Sequence, residues 1–190
     1  MSAAALLRFE QAACVRGGRL LFERLDLALA PGEAALVTGP NGAGKSSLIR
    51  LAAGLLRPAA GRVERGAAAA LADEGLALDP RLTLRRALGF WAALDGRPAA
   101  PGMEAMGLIP LAEVPVRMLS TGQRKRAALA RVAASGALLW LLDEPANGLD
   151  AEGQERLDAA TAAHLAGGGA ILAASHQPLG LDAAKRIALG

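Results

Sequence analysis

Residues 39–46 read GPNGAGKS, and this stretch decides the fold. It matches in full the phosphate-binding loop pattern G-x-x-x-x-G-K-[ST], which requires a strand before it and a helix after it. The apolar residues before the loop are typical of a strand, whereas KSSLIRLAAGLL at 45–56 repeats leucines at helical spacing. A strand, a glycine-rich turn and a helix in this order predict a site for phosphate groups.

The loop is expected to hold the phosphates of a nucleotide. Backbone N–H groups of such a turn point inward, and the following helix presents the positive end of its dipole. Lys45 adds a positive charge for the outer phosphates, and the Ser46 hydroxyl is a candidate ligand for Mg²⁺. A glycine-rich turn that precedes lysine by chance is the alternative. The predicted nucleotide-binding residues are Gly39, Pro40, Asn41, Gly42, Ala43, Gly44, Lys45, Ser46 and Ser47.

Two further apolar runs predict parallel strands. ALLWLLDEP at 137–145 is continuous, too short for a typical helix and stopped by proline, and AILAASH at 170–176 is similar. AEGQERLDAATAAHL at 151–165 has the pattern of a helix and connects the two runs, which makes a β-α-β unit. The chain is therefore predicted to have an α/β fold.

Polar residues end both strands, at the edge where α/β sheets bind ligands. Asp143 is predicted to hold Mg²⁺ through water, and Glu144 is predicted to accept a proton from the water that attacks the γ-phosphate. A solvated strand end is the alternative for both acids. A lone histidine after a strand is more often structural, but the place of His176 beyond a nucleotide site favours a functional role.

The remaining segments carry local signals for strands, helices or loops. Alternation of apolar and polar residues predicts strands in LLRFEQAACVR at 6–16 and in the first part of 20–37. LTLRRALGFWAALDG at 82–96 predicts a helix, and GRPAAPG at 96–102 predicts a surface loop. GRVERGAAAALA at 61–72 stays open between helix and short strands, because alanine favours the first and the glycines favour the second.

Composition disfavours several classes of protein. Hydrophobic residues make up 53% of the 190-residue chain, but Arg, Asp or Gly interrupts every apolar stretch before it reaches a membrane-spanning length. Cys14 is the only cysteine, so we expect no internal disulfide, no multi-cysteine metal site and a reducing compartment. The net charge is +3, and aromatic residues amount to 3% without any tyrosine, so no nucleic-acid partner is expected.

The stretch LSTGQRKR at 119–126 contains an S-x-x-Q capping pattern, which opens a helix whose N-terminal N–H groups attract anions. Together with GPNGAGKS, LLWLLDEP, NGLD and SH, in this order, it resembles the ATP-binding-cassette family over nearly the whole chain. The resemblance implies a P-loop NTPase (RecA-like) α/β core with an N-terminal antiparallel β subdomain and a helical signature subdomain. It implies one domain over 1–190, with the core at about 1–80 and 136–190 and the helical part at about 81–135.

The resemblance also assigns roles to residues. ATP and Mg²⁺ are the expected cofactors, and a second copy of the chain is an expected partner. The helix that begins with Ser120, Thr121, Gly122 and Gln123 matches the signature, which in this family binds the γ-phosphate of ATP held by the second copy. Asp150 matches the dimer-contact loop, and His176 matches the histidine that touches the γ-phosphate. His164 matches nothing and is expected in packing or at the surface.

Three departures from the family pattern are visible. Thr121 stands where glycine or alanine is usual. No aromatic residue precedes the loop in the adenine region, where Arg16 either stacks on adenine or points into solvent. The glutamine that links Mg²⁺ to the transporter contact is absent from ADEGLAL at 72–78, where Glu74 and Asp73 are the candidate replacements.

Within the family, the chain resembles the ATPase subunits of haem exporters for cytochrome c maturation. LSTGQRKRAALAR, LLWLLDEPANGLD, SHQPLGL and LTLRRALGFWAALDG carry this resemblance. It implies a peripheral subunit at the cytoplasmic face of the inner membrane, partnered by integral membrane permease subunits and powering haem export. Phe90 and Trp91 are then candidates for the permease groove or for core packing. A transporter of another substrate, or a non-transport ATPase acting on nucleic acid, are the alternatives.

Overall fold

The computed structural model describes residues 4–75 and 77–190. Eight strands and five helices lie in these ranges, joined by short loops and two single-turn 3-10 helices. In chain order the elements are β1 (Leu7–Arg16), β2 (Arg19–Leu29), β3 (Ala34–Thr38), α1 (Lys45–Ala53), β4 (Ala60–Arg65), β5 (Ala69–Ala72), α2 (Leu84–Asp95), α3 (Ala100–Ala105), the 3-10 turns Ile109–Leu111 and Val116–Met118, α4 (Thr121–Ala134), β6 (Leu139–Asp143), α5 (Ala151–Ala166), β7 (Ala170–Ala174) and β8 (Lys185–Ala188).

Five strands form a parallel sheet in the spatial order β5, β6, β7, β3, β8. Every residue of β6 and of β7 is buried, which explains why both segments are continuous apolar runs and not alternating ones. Helix α5 carries the chain from β6 to β7. The predicted β-α-β unit and the predicted α/β class are therefore confirmed.

The two faces of the parallel sheet pack into different cores. On β6, Leu139 and Leu141 belong to a cluster with α1 and the N-terminal strands, whereas Trp140 and Leu142 belong to a cluster with the helices of the 84–134 segment. Alternation with a period of two is the geometry of a strand, so each face of the sheet is covered by its own layer.

Strands β2, β1 and β4 form a second, antiparallel sheet. Leu7 and Phe9 of β1 are almost fully buried and belong to the same cluster as Leu48 and Ile49 of α1. Helix α1 also packs against β6 and β7, so it lies between the two sheets. The predicted N-terminal antiparallel part is confirmed, and the position of α1 fixes the loop that precedes it.

The structure shows the conformation of one segment that the sequence left undecided, and it corrects one prediction. Residues 61–72 contribute to the strands β4 and β5, because pairing with β1 and β6 outweighs the helix preference of alanine. The predicted surface loop at 96–102 is wrong in its second half, since α3 begins at Ala100. Proline is tolerated in the first turn of a helix, and Pro101 lies there. The division of the chain at about 81 and 135 stays a prediction.

Within the described ranges, no helix combines the length and the apolar character that crossing a bilayer requires.

Gly102 lets α3 pack closely on α4. A Cβ atom at this position would lie 2.1 Å from the carbonyl oxygen of Ala130. We predict that Gly102→Ala lowers the free energy of unfolding by about 1–3 kcal/mol, because the two helices must separate. Urea denaturation measures this change.

Gly89→Ala is the matched control, since Gly89 lies inside α2 and an added Cβ there meets no described atom within 4 Å. Alanine is favoured over glycine inside a helix by about 0.5–1 kcal/mol, so this variant should be slightly more stable than the wild type. Equal stability of the wild type and Gly102→Ala would contradict the packing argument.

Candidate nucleotide site

The candidate site is formed by three loops at one edge of the parallel sheet. Strands β6, β7 and β3 are parallel neighbours, so the residues that follow them lie side by side. Lys45 follows the loop after β3, Glu144 follows β6 and His176 comes soon after β7. The structure brings these three side chains into contact, although 131 residues separate Lys45 from His176.

The loop after β3 has the backbone of a phosphate-binding turn. Gly39, Gly42 and Gly44 have φ angles of 144°, 83° and 109°, a region that residues with a Cβ rarely adopt. At Gly39 a Cβ would also lie 2.2 Å from the carbonyl oxygen of Leu189, so the chain passes too close for any side chain. Helix α1 begins directly after Gly44, which directs its first N–H groups toward the loop.

Lys45 lies at the centre of the site and is almost fully buried, with 7% of its surface exposed. Its ammonium group donates to the carbonyl oxygens of Gly39 at 2.9 Å and Pro40 at 3.2 Å. A third contact, at 2.8 Å, joins Nζ to Nε2 of His176. A buried cation with its donors directed at the turn is suited to an anion in the loop.

The Nε2 atom of His176 lies among three polar side chains. Nε2 lies 2.8 Å from Lys45 Nζ, 3.1 Å from Asn41 Oδ1 and 3.5 Å from Glu144 Oε1. The Lys45 ammonium group can only donate, whereas the two oxygens can only accept, so the partner of Nε2 depends on which ring nitrogen carries hydrogen. The backbone N–H of His176 donates to Glu144 Oε2 at 3.3 Å, which links the loops after β6 and β7.

Glu144 has an unusual backbone. Its φ angle is 46°, which places a residue with a long side chain in the left-handed region. Such a conformation costs about 1–3 kcal/mol and persists where the surrounding structure determines it, often at functional sites. The side chain of Glu144 is 14% exposed and faces His176. The strain marks this residue as one whose position is imposed by its neighbours.

Asp143 is the residue best suited to a metal ion. It is 3% exposed, and its Oδ1 has no hydrogen-bond partner among residues 4–75 and 77–190. A buried carboxylate oxygen without a partner is costly, and a cation would satisfy it. Ser46 lies in the first turn of α1, directly after the glycine-rich loop, and carries a hydroxyl oxygen. One carboxylate and one hydroxyl fit Mg²⁺, which takes oxygen ligands and completes its shell with phosphates and water.

The signature helix begins as predicted. Ser120 caps α4, with its hydroxyl accepting from Gln123 N at 3.2 Å and Gln123 Oε1 accepting from Ser120 N at 2.9 Å. The predicted capping box is therefore confirmed. Gly122 serves the fold as well, because a Cβ there would lie 2.8 Å from the carbonyl oxygen of Gly148. Thr121 is exposed, so its side chain is accommodated without a clash.

Helices α1 and α4 pack against different parts of the molecule. Helix α1 packs against strands of both sheets, whereas α4 packs mainly against α2, α3, α5 and β5. Among the described residues, no hydrogen bond joins the side chains of Ser120 or Gln123 to the glycine-rich loop. Asp150 has a structural role of its own, since its Oδ1 accepts from Gly153 N at 2.8 Å and caps α5.

A cavity of about 270 Å³ lies beside Glu144. Asp73 and Glu74, the candidate replacements for the missing glutamine, line it together with Lys125 and Asn147. Leu76, which belongs to the same stretch, lies outside the described residues. The structure places both acids at the carboxyl end of β5, next to the site.

Sequence reasoning missed Lys125. Its Nζ donates to the carbonyl oxygen of Asp143 at 3.2 Å, and it lines the cavity beside Glu144. Burial lowers the pKa of Lys125, and the nearby carboxylates of Asp143, Glu144, Glu74 and Asp73 oppose that shift. The signal was weak, because a lysine in the basic run RKR on a helix is typical of a solvated surface.

Two further residues considered in the sequence analysis are Arg16, in the adenine region, and His164, on α5. Arg16 is exposed at the end of β1, while Ser47 lies beside the buried Cys14 thiol, whose pKa is raised by burial. His164 stacks on Trp140 with ring centroids 3.9 Å apart, so its predicted packing role is confirmed. Burial lowers the pKa of His164, because the charged ring would lose its hydration.

Phe90 and Trp91 line a separate cavity of about 290 Å³ with Ala77, Asp79, Leu82 and Ala87. Phe90 is 59% exposed, whereas Trp91 is partly buried and its Nε1 donates to the carbonyl oxygen of Ala77 at 2.6 Å. The guanidinium carbon of Arg131 lies 4.7 Å from the centroid of the Trp91 ring. Trp91 thus packs the wall of this cavity and Phe90 forms its exposed rim.

Comparison with known proteins identifies the family. The family model described as ABC transporter matches residues 22–147, about two thirds of the chain. The chain belongs to the ABC transporter family. This ABC protein is 59% identical over 188 residues to the cytochrome c biogenesis ATP-binding export protein CcmA of Sphingopyxis alaskensis, with 97% of each chain covered. It is 59% identical over 179 residues to the protein of the same name from Novosphingobium aromaticivorans, covering 93% of this chain and 92% of that one.

Solved structures agree with the fold of this ABC protein. An ATP-binding subunit of an ABC transporter superposes with a TM-score of 0.85 at 22% identity, covering 97% of this chain and 85% of that one. An ABC transporter ATP-binding protein from Pyrococcus furiosus superposes with a TM-score of 0.83 at 19% identity, covering 96% of each chain. The predicted fold class is confirmed.

The predicted ATP binding and ATPase activity are confirmed by family membership. As the ATP-binding subunit of an ABC transporter, the chain has a membrane permease as its partner.

Proposed function

We propose that this chain is the ATP-hydrolysing subunit of a transporter that exports haem for cytochrome c maturation. The observation that carries the proposal is its 59% identity, over 97% of both chains, to a protein named cytochrome c biogenesis ATP-binding export protein. The export function of that relative is thereby assigned to this chain, and the haem cargo follows from the resemblance of the sequence motifs to haem exporters.

In this proposal the glycine-rich loop holds the phosphates of ATP. The nine residues from Gly39 to Ser47 form the nucleotide site, with loop N–H groups and Lys45 as donors. Asp143, through water, and Ser46 hold Mg²⁺, which supplies charge neutralisation for the phosphate oxygens when it is bound. The support for this is the orphaned, buried Oδ1 of Asp143 next to a loop built for anions.

Glu144 is proposed as the general base and His176 as the group that contacts the γ-phosphate. The carboxylate of Glu144 accepts a proton from a water positioned beside the γ-phosphate, and the strained backbone holds it there. His176 contacts both Glu144 and Lys45, so it occupies the gap between the base and the phosphate loop. If Lys45 turns toward the phosphate, its contact with His176 Nε2 breaks, and His176 becomes free to contact the same phosphate.

Two copies of the chain are proposed to share the nucleotide sites. Ser120, Thr121, Gly122 and Gln123 form the start of a capped helix that attracts anions, yet Ser120 and Gln123 are not hydrogen-bonded to the described glycine-rich loop of their own chain. We propose that they bind the γ-phosphate on the second copy, and that Asp150 lies at the contact between the copies. The exposure of Ser120, Thr121 and Asp150 leaves them accessible to a partner.

The permease of this transporter is proposed to dock at the cavity beside Phe90 and Trp91. An exposed phenylalanine at the rim of an apolar cavity suits an apolar side chain from a membrane subunit. The chain would then lie as a peripheral protein at the cytoplasmic face of the inner membrane. Asp73 and Glu74 at the carboxyl end of β5 are proposed to relay the contact to the nucleotide.

The haem itself is proposed to be held by other subunits. The chain has one cysteine and two histidines, the residues that most often ligate haem iron. Cys14 is buried, His164 stacks on Trp140, and His176 contacts Lys45. Each is engaged in the fold or the nucleotide site, so this chain supplies energy and no cargo site.

We predict that Glu144→Gln keeps ATP binding but lowers turnover by about 10²–10⁴, since glutamine keeps the shape of glutamate without accepting a proton. Phosphate release measures turnover, and equilibrium titration with ATP measures binding. Glu155→Gln, at an exposed position of α5, is the matched control and should retain full turnover. Normal turnover of Glu144→Gln would show that Glu144 is not the general base.

Purification from membranes tests the proposed pathway. A tagged chain should carry along integral membrane subunits of a cytochrome c assembly system. Cells that lack the chain should lose haem-containing cytochrome c, and the wild type but not Glu144→Gln should restore it. Co-purification with a permease for another solute, together with normal cytochrome c in cells lacking the chain, would overturn the haem assignment and leave the ATPase assignment intact.

A further inference from the structure

Lys125 connects the signature helix to the loop after β6. It lies in the second turn of α4, which starts at Thr121. Its Nζ donates to the carbonyl oxygen of Asp143 at 3.2 Å, and its side chain lines the cavity that also contains Glu144. A contact from an ammonium group to a carbonyl oxygen in a partly buried place is stronger than a neutral hydrogen bond.

The peptide bond between Asp143 and Glu144 is held from two sides. Its N–H group, on Glu144, donates to the carbonyl oxygen of Ala174 in β7 at 2.8 Å. Its carbonyl group, on Asp143, accepts from Lys125 of α4. Both polar groups of one peptide are thus fixed by different elements, so the plane of this peptide cannot rotate freely.

The strained angle follows directly after this peptide. Glu144 has a φ of 46°, a conformation that non-glycine residues keep only where their surroundings impose it. Rotation about the N–Cα bond of Glu144 is defined relative to this peptide, so the two hydrogen bonds fix the backbone frame from which its side chain extends. The carboxylate itself contacts His176: its Oε2 accepts from His176 N at 3.3 Å, and its Oε1 lies 3.5 Å from His176 Nε2. Lys125 therefore restrains the backbone from which this carboxylate extends, and His176 contacts the carboxylate itself.

We propose that Lys125 is a positioning residue for Glu144: its hydrogen bond to the Asp143 carbonyl holds the peptide that aims the Glu144 carboxylate at the attacking water. This inference rests on the proposed role of Glu144 as general base. Because Lys125 belongs to the signature helix, a displacement of α4 relative to β6 changes the aim of the base. Movement of the helix that contacts the second copy is thereby linked to the chemistry in the first.

The test compares Lys125→Met, which keeps the apolar stem but removes the donor, with Lys125→Arg, which keeps a charged donor. We expect Lys125→Met to lower kcat by roughly 10-fold to 100-fold, with KM for ATP changed by less than about twofold. Lys125→Arg should recover most of the lost kcat. A merely structural role would lower stability in both variants without separating kcat from KM.

Lys185→Met is the matched control. Lys185 also donates to a backbone carbonyl oxygen, that of Ala28 at 2.7 Å, but it lies on β8 and contacts Glu33. This variant should keep the kcat of the wild type. If thermal melting shows that Lys125→Met is unfolded, Lys125→Leu, which also lacks a donor, takes its place under the same criteria.

The double variant Lys125→Met with Glu144→Gln separates the two proposals. If Lys125 acts through Glu144, the methionine should not lower the residual turnover of Glu144→Gln any further. Turnover of Glu144→Gln at the wild-type rate would overturn the role of the base. Two results would overturn the role of Lys125 alone. In the first, Glu144→Gln is impaired but Lys125→Met keeps the wild-type kcat. In the second, the losses of the two single variants multiply in the double variant.

Discussion

The parallel direction of β6, β7 and β3 is the constraint on which the nucleotide site depends. Because these neighbours all end at the same edge, residues far apart in sequence meet there, and Lys45 Nζ lies 2.8 Å from His176 Nε2. An antiparallel arrangement would place one of the three loops at the opposite edge. Burial on both faces holds the strands in register, so a rigid layer brings the loops together. Contacts such as that between His176 N and Glu144 Oε2 then join them.

A second constraint comes from how the helices are attached. Helix α1 is held between the two sheets, whereas α4 packs mainly on the other helices and β5. The glycine-rich loop and the helix that begins at Thr121 are thus carried by different layers, and Lys125 forms a direct hydrogen bond from α4 to the end of β6, next to the proposed base Glu144. In the proposed function, this hydrogen bond links the helix that meets the second copy to the residue that activates water.

Much of this arrangement follows from the sequence, because the strongest signals are local. The glycine pattern needs only eight consecutive residues, the capping box needs four, and continuous apolar runs indicate buried strands. What the sequence could not give depends on distant contacts. Pairing with β1 and β6 decides that residues 61–72 form strands. The helix around Gly102 packs closely on Ala130, and the left-handed backbone of Glu144 is imposed by its neighbours.

Complementation between two inactive chains tests the shared nucleotide site most directly. Lys45→Ala damages the glycine-rich loop, and Ser120→Arg damages the start of the signature helix, so each variant alone should hydrolyse almost no ATP. In a mixed dimer, one site combines the intact loop of one chain with the intact helix of the other. An equal mixture should therefore regain about a quarter of the wild-type rate, because half of the randomly paired dimers contain one intact site of two. A mixture as inactive as its two components, in a sample where mixed dimers are detected, would contradict the account, because loop and helix would then have to act within a single chain.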